Sequence, residues 1–226
     1  MYYHHTRLPC VVDLGGRTST HSGCLCKLLY DGEMKNIEIE QKYKVEDITP
    51  LVALLEREGK YLGTEHQIDE YFNAPHRDFL AMGPQDGDDG PSKIVEWLRL
   101  RDADGAASLN YKYWHKDEQH IAHHCDEYES KVDDIDQVRR ILLALNFTSM
   151  VIVDKSRRAW NYKEYEVSID TVQGIGEFVE LEYKGNDLNP DPKVIAGEMK
   201  SFLEGLHCGA VNDQRGYPFH LLFIKK

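Results

Sequence analysis

A chain of 226 residues, 41% apolar and 29% charged, is long enough to bury a sizeable core and too mixed in composition for a disordered or fibrous polymer. Its net charge of −12 argues against a surface that tracks a nucleic-acid backbone, and no apolar run approaches the roughly 20 residues of a spanning helix. The five cysteines (Cys10, Cys24, Cys26, Cys125 and Cys208) contain one C-x-C pair and no second pair at zinc-like spacing, which fits reduced thiols in a cytoplasmic protein.

Residues 1–34 show no sustained periodicity and read as an irregular extension ahead of a domain spanning 35–226. They lack the basic-then-apolar layout of a secretory signal, while Arg7 and Arg17 among few acids leave an organelle-targeting reading open. From Asn36 the pattern alternates with period two, Glu38, Glu40 and Lys42 opposing Ile37, Ile39 and Tyr43. Thr49-Pro50 then marks a capped helix start, Leu51, Val52, Leu54 and Leu55 form its apolar stripe, and Gly59 stops it. A Gly-, Pro- and Asp-rich loop is expected over 82–92, before a strand in which Trp97, Arg99 and Arg101 oppose Leu98 and Leu100. Asn110 and Lys112 oppose Leu109 and Tyr111, and Glu127, Glu129 and Lys131 continue the alternation.

A second helix is predicted from Asp133/Asp134, with Ile135, Val138, Ile141, Leu142 and Leu145 at helical spacing and Asn146 closing it. Strands carrying Lys155 and Arg157, Glu166 and Asp170, and Glu180, Glu182 and Lys184 follow. A third helix starts after Asp191-Pro192, with Val194, Ile195, Met199, Phe202, Leu203 and Leu206 on one side. All three helical stripes are expected in the core. Glu38 to Lys42 and Glu127 to Lys131 repeat E-x-E-x-K ahead of a helix and a series of strands, so two halves could pair into one closed sheet about a pseudo-twofold axis.

For any single strand, a charged face is most simply a solvated face. The set argues otherwise, because like charges are paired on one face: Glu38/Glu40, Arg99/Arg101, Lys155/Arg157 and Glu180/Glu182. Such pairs repel unless an opposite charge enters between them. The carboxylates Glu38, Glu40, Asp170, Glu180 and Glu182 suit a hard cation, Mg2+ or Mn2+. The bases Lys42, Arg99, Arg101, Lys112, Lys155 and Arg157 suit phosphate oxygens. A triphosphate travelling with its cation needs both kinds of partner. In a closed sheet the charged faces would point inward and the helices would cover the outside. His115, His120, His123 and His124 beside Cys125 raise a zinc site, but no matching ligand pair completes it, and a solvated hairpin end is the simpler reading. Cys208, where a helix stops, reads as a packed thiol.

Glu38-x-Glu40-x-Lys42 resembles the signature of the CYTH superfamily, also called triphosphate tunnel metalloenzymes. The resemblance runs from about residue 36 to the end. It takes in Gln67-x-Asp69-x-Tyr71-Phe72-Asn73 and its continuation to Phe79, Trp97-Leu-Arg99-Leu-Arg101, Leu109-Asn-Tyr-Lys112, Lys155-x-Arg157, and Ile169-Asp170 through Glu180-Leu-Glu182. The stretch around Tyr71 looks closest to the class IV adenylyl cyclase branch. It implies an α+β fold, a closed antiparallel eight-stranded β tunnel with helices packed outside. It also implies a divalent-metal-dependent enzyme converting ATP to cyclic AMP and pyrophosphate. The alternatives are an inorganic or organic (thiamine-type) triphosphatase and a non-catalytic polyphosphate or nucleotide binder. Carried over by position, Glu38, Glu40 and Glu182 would hold the metal, with Asp170 and Glu180 completing a second site. Lys42, Arg99, Arg101, Lys112, Lys155 and Arg157 would line the triphosphate path, Lys42 and Arg157 acting in catalysis. Nucleic acid and membrane are not expected partners, and a homodimer is compatible with the family. The extension and the long loop before Trp97 depart from the compact family pattern.

Overall fold

The structure, a computed structural model, describes residues 37–81, 92–187 and 189–224; the extension expected at 1–34 and nearly all of the loop expected at 82–92 lie outside them. Strands β1 (Ile37–Glu38) and β2 (Glu40–Lys44) lead into α1 (Thr49–Glu58) and then β3 (Lys60–Asn73), β4 (Glu96–Ala103), β5 (Ala106–Lys116) and β6 (Ala122–Val132). Helix α2 (Ile135–Ala144) precedes β7 (Thr148–Tyr162), β8 (Tyr165–Val172) and β9 (Gly176–Tyr183), and the chain ends with α3 (Pro192–Gly205), β10 (Val211–Asn212) and α4 (Tyr217–Phe223). Among the described residues no helix is long and apolar enough to cross a membrane.

All strands join one antiparallel sheet in the order β1-β6-β5-β4-β3-β7-β8-β9-β2-β10. Reading outward from the central β3–β7 pair, β4, β5 and β6 on one side mirror β8, β9 and β2 on the other, which is the pseudo-twofold arrangement the repeated E-x-E-x-K expects. The expected closed eight-stranded tunnel needs correction: the ladder has ten strands and is open, with β1 and β10 at its ends. The first strand breaks at Ile39, so that Ile37 and Glu38 pair with β6 while Glu40 to Tyr43 pair with β9, and no ladder bond joins β1 to β2. The extra strand at the far end is β10, which pairs with Tyr43 and Lys44. Ile39 alone links β1 to β2, so the sheet curls into a half-barrel that brings its two sides near one another. Register shifts in the β3–β7 pair, at Tyr61/Gly63 and Tyr71/Phe72, bend these long strands in the required way.

Outside the curl, α1 and α3 cover β2, β7, β8 and β9. Leu51, Leu55, Ile195, Met199 and Leu203 bury against Tyr43, Trp160, Val167, Ile169, Val179 and Leu181. Each such side chain contributes about 1.5–3 kcal/mol when fully buried. Helix α1 begins one residue earlier in its capping than expected: Ile48 is the cap position, and the Asp47 carboxylate rather than Thr49 accepts a backbone N–H, that of Thr49. Gly59 does end it, in an extended conformation where a Cβ would meet the Leu55 carbonyl oxygen at 2.7 Å. In α2, Asp134 caps through the N–H of Gln137, and Asn146 takes the left-handed conformation (φ 64°) after its end. Asp191 caps α3 through Lys193 and Val194.

Two helical stripes are narrower than expected. Only Leu142 of α2 is buried, with Ile135 and Val138 packed partly against Phe72 and Leu100, while Ile141 and Leu145 stay exposed. Residues 135, 138 and 142 form one ridge of the helix, and the sheet takes that ridge while leaving the next, 141 and 145, in water. In α3, Val194 is likewise exposed. Helix α4, which sequence periodicity did not anticipate, packs differently from the others. Tyr217 and Phe219 join Tyr71, Trp97, Val153 and Phe178, filling one end of the curl's inner face with apolar side chains.

Candidate functional site

Because side chains alternate across a strand, the inward positions of β2, β4, β5, β7 and β9 deliver their charges to one space. A cavity of about 290 Å3 is lined there by Glu38, Glu40, Lys42, Arg99, Arg101, Lys112, Lys155, Arg157, Glu180 and Glu182. Of the expected site residues, Asp170 alone does not line it; it lies fully buried behind Arg157. The charges sort into three clusters.

The first is acidic. Glu40 and Glu182 are direct cross-strand partners, and Glu38 sits two residues before Glu40. Burial, Glu38 and Glu40 push the Glu182 carboxyl up to about 8, and burial together with Glu38 also raises Glu40. The ammonium of Lys112 stands between Glu38 and Glu40 at 2.6 and 3.0 Å. Burial opposes its charge, but these two acids hold its pKa well above the usual lysine range. Lys184 pairs with Glu182. The cluster is therefore short of positive charge, and its donors are all hard carboxylate oxygens, which fits Mg2+ or Mn2+ in chemistry. No three His, Cys, Asp or Glu side chains converge at ligand geometry among the described residues, consistent with Lys112 occupying the gap.

The second cluster centres on Asp170. Its carboxylate accepts from Lys155 Nζ at 2.6 Å, from Arg157 Nε and Nη2 at 2.7 Å each, and from the Tyr217 hydroxyl at 2.9 Å. Glu180 binds Lys42 Nζ at 2.5 Å and also pairs with Arg157. Against the effect of burial, Lys155 and Arg157 hold Asp170 below the usual carboxylate range, and Arg157 and Lys42 do the same to Glu180. The five expected metal carboxylates thus divide: Glu38, Glu40 and Glu182 crowd one another, whereas Asp170 and Glu180 are occupied by bases.

The third cluster centres on Asp69, which sequence reasoning placed in a motif without assigning it a role. It is fully buried, clasps Arg101 through two bonds of 2.6 and 2.7 Å, and accepts from Arg99 Nη1 at 3.3 Å. Arg99 also reaches the Tyr71 hydroxyl at 3.3 Å. Among the described residues, Arg99 Nε is buried with no hydrogen-bond partner. The signal that could have found Asp69 is its period-two spacing with Gln67 and Tyr71, which puts it on the inward face.

The histidine group does not assemble a metal site. His115 stacks on His124 with centroids 4.6 Å apart and binds Asp126, while His123 binds Asp117. Cys125 points the other way, its thiol 3.4 Å from Glu38 Oε2. Cys208 is buried and packed, as expected.

The CYTH domain model matches residues 36–217. The chain belongs to the CYTH domain family. "Putative adenylate cyclase MJ0240" of Methanocaldococcus jannaschii is 33% identical over 177 residues, 78% of this CYTH chain and 93% of the relative. Among solved structures, the PH1819 protein of Pyrococcus horikoshii OT3 superimposes with a TM-score of 0.66 at 23% identity, covering 83% of this chain and 99% of that one. A Hippeastrum protein described as "Putative adenylyl cyclase HpAC1" with "a dominant triphophatase activity" gives a TM-score of 0.52 at 17% identity, covering 80% and 91%. Both structures share the CYTH chain's fold.

Proposed function

We propose that this CYTH protein is a divalent-metal-dependent enzyme that takes a triphosphate into the cavity, with conversion of ATP to cyclic AMP and pyrophosphate as its reaction. One observation carries the reading: a cation-deficient acid triad and two sets of bases line the same cavity, so a polyanion and its cation complete each other's charge there. Adenylate cyclase in the name of the 33% identical relative supports ATP as the substrate.

Mg2+ or Mn2+ held by Glu38, Glu40 and Glu182 would neutralise phosphoryl oxygens as a Lewis acid. Arg99 and Arg101, steadied by Asp69, line the cavity and grip the phosphate chain. Lys42 and Arg157, both braced on Glu180, stabilise the charge that develops on the departing pyrophosphate. Lys112, once released from Glu38 and Glu40, is free to turn to a phosphate oxygen. In cyclisation the ribose 3′ oxygen forms the new bond to the α-phosphorus, the bond to pyrophosphate breaks, and the hydroxyl proton passes to solvent.

Hydrolysis of a terminal phosphate is the second reading, because these bases recognise the phosphate chain and not what is attached to it. Incubation with ATP and with inorganic triphosphate, each with Mg2+ or Mn2+, followed by separation of cyclic AMP, pyrophosphate and orthophosphate, decides between the two. Cyclic AMP with pyrophosphate is expected; orthophosphate from both substrates selects hydrolysis, and no product from either rejects an enzyme. Glu40→Gln keeps shape and removes one ligand charge. It should abolish metal-dependent turnover without lowering the thermal midpoint, since it also relieves crowding among the acids.

A further inference from the structure

Helix α4 sends its first residue to the wall of the cavity. Gly216 turns the chain with a positive φ of 76°, and Tyr217, 3% exposed, packs beside the bases of the second cluster. Its ring lies 4.0 Å from Lys42 Nζ and 5.0 Å from Lys155 Nζ, measured to the centroid. Its hydroxyl donates to Asp170 Oδ2 at 2.9 Å, the same oxygen that accepts from Lys155 and Arg157. The segment carrying it is tied to the same strand from behind, the backbone N–H of Asp213 donating to the Lys42 carbonyl at 2.7 Å. Phe178 packs on the ring with centroids 5.0 Å apart.

We propose that Tyr217 is a positioning residue for the triphosphate site, setting the spacing of Lys42 and Lys155 with its ring and the orientation of Asp170 with its hydroxyl. This rests on the triphosphate reading above. Two ammonium groups on the same wall repel, and an aromatic ring within reach of both gives each an attractive partner. Among the described residues, the phenol supplies the one donor to Asp170 that carries no charge. It fixes the carboxylate without adding to the positive charge that must remain for the substrate. The C-terminal segment is then part of the site, where Asp213 and Arg215 also line the cavity and Asp213 favours the charged form of Lys42.

Tyr217→Phe removes the hydroxyl and keeps the ring. With inorganic triphosphate as the probe, titration calorimetry without divalent metal, run well below the thermal midpoint, should show affinity weakened about tenfold; the midpoint itself should fall only by the loss of one buried hydrogen bond. Steady-state kinetics should show kcat/KM lowered by at least a similar factor, with KM raised and kcat also reduced, because Lys42 and Arg157 act on the departing pyrophosphate. Tyr165→Phe loses a hydroxyl bonded to Glu198 outside the cavity and should change neither value. Tyr217→Ala should lose both affinity and stability; if it does not fold, the phenylalanine variant decides alone. Unchanged affinity and unchanged kcat/KM in Tyr217→Phe overturn the role of Tyr217 and leave the triphosphate reading intact. A wild-type protein that binds no triphosphate overturns that reading and this inference together.

Discussion

The Asp69 and Asp170 clusters solve one problem with the polarity reversed. Asp69 lies on β3 directly across from Arg101 on β4, and Asp170 lies on β8 directly across from Arg157 on β7. In each half a fully buried carboxylate makes a two-pronged bond to an arginine, and a second base leans on the same acid. The surroundings differ. Around Asp170, a lysine side chain 1% exposed and a phenol add two further donors on Oδ2, and Arg157 is shared with a second acid, Glu180. Around Asp69, Arg99 is the one further donor among the described residues, its Nη1 3.3 Å from Oδ2, and the arginines of the two clusters are similarly exposed, 13–14% here and 17% for Arg157. The Asp170 carboxylate is the more heavily bonded of the two, with four donor contacts against three on Asp69.

Substitution of the two aspartates tests that contrast with the largest effects. Asp170→Asn leaves Lys155 buried without its counter-charge and should cost about 3–5 kcal/mol in denaturant unfolding. Asp69→Asn keeps the side-chain shape, and its arginines can turn toward the cavity. The expected loss is about 1.5–3 kcal/mol, accompanied by a raised apparent constant for triphosphate. Equal losses, or the reverse order, would break the comparison.

The contrast also shows what the sequence makes legible. Alternating charges place Arg99, Arg101, Lys155 and Arg157 on the inward face because side-chain direction follows the two-residue period of a strand. The same logic locates Glu38, Glu40 and Glu182. What each acid does depends on what stands across from it, and cross-strand register is not written in the local pattern. Asp69 therefore stands in a motif without a role, and Asp170 is assigned to a metal like Glu182, although bases enclose the first and other acids crowd the second. The split at Ile39 is hidden for a related reason: alternation continues through it while the hydrogen-bond partner changes from β6 to β9. Tyr217 lies beyond the last strong helical stripe, where position depends on how α4 folds back.

Protonation separates the acid triad from both aspartate clusters. Glu182 is raised from an ordinary 4.5 to about 8 by burial and by Glu38 and Glu40, so folding favours its protonated form. Stability from this group is fully present below about pH 4.5 and is lost as pH rises through about 8. Asp170 and Glu180 are shifted the other way, so the stability they contribute is lost only as pH falls through their lowered folded-state pKa values. In the presence of a chelator the thermal midpoint should therefore fall between about pH 5 and about pH 9. Glu182→Gln should flatten that fall, and added Mn2+ should reverse it by restoring positive charge. A profile that is flat in the chelated wild type would mean the three acids do not share one field.

The smallest effect is expected outside the cavity, where the same geometry occurs in water. Arg139 on α2 grips Glu70 on β3 through two bonds of 2.7 and 3.0 Å, a fork much like those of Arg101 and Arg157. Its side chain is 45% exposed, so water competes for both partners and screens their attraction. Arg139→Ala should cost less than about 1 kcal/mol and leave turnover unchanged. The aspartate knots and this surface pair share donor, acceptor and distance, and differ in desolvation. A loss from Arg139→Ala as large as that from Asp69→Asn would show that fork geometry, rather than burial inside the curl, carries the energy, and the distinction between the cavity clusters and an ordinary surface ion pair would fall with it.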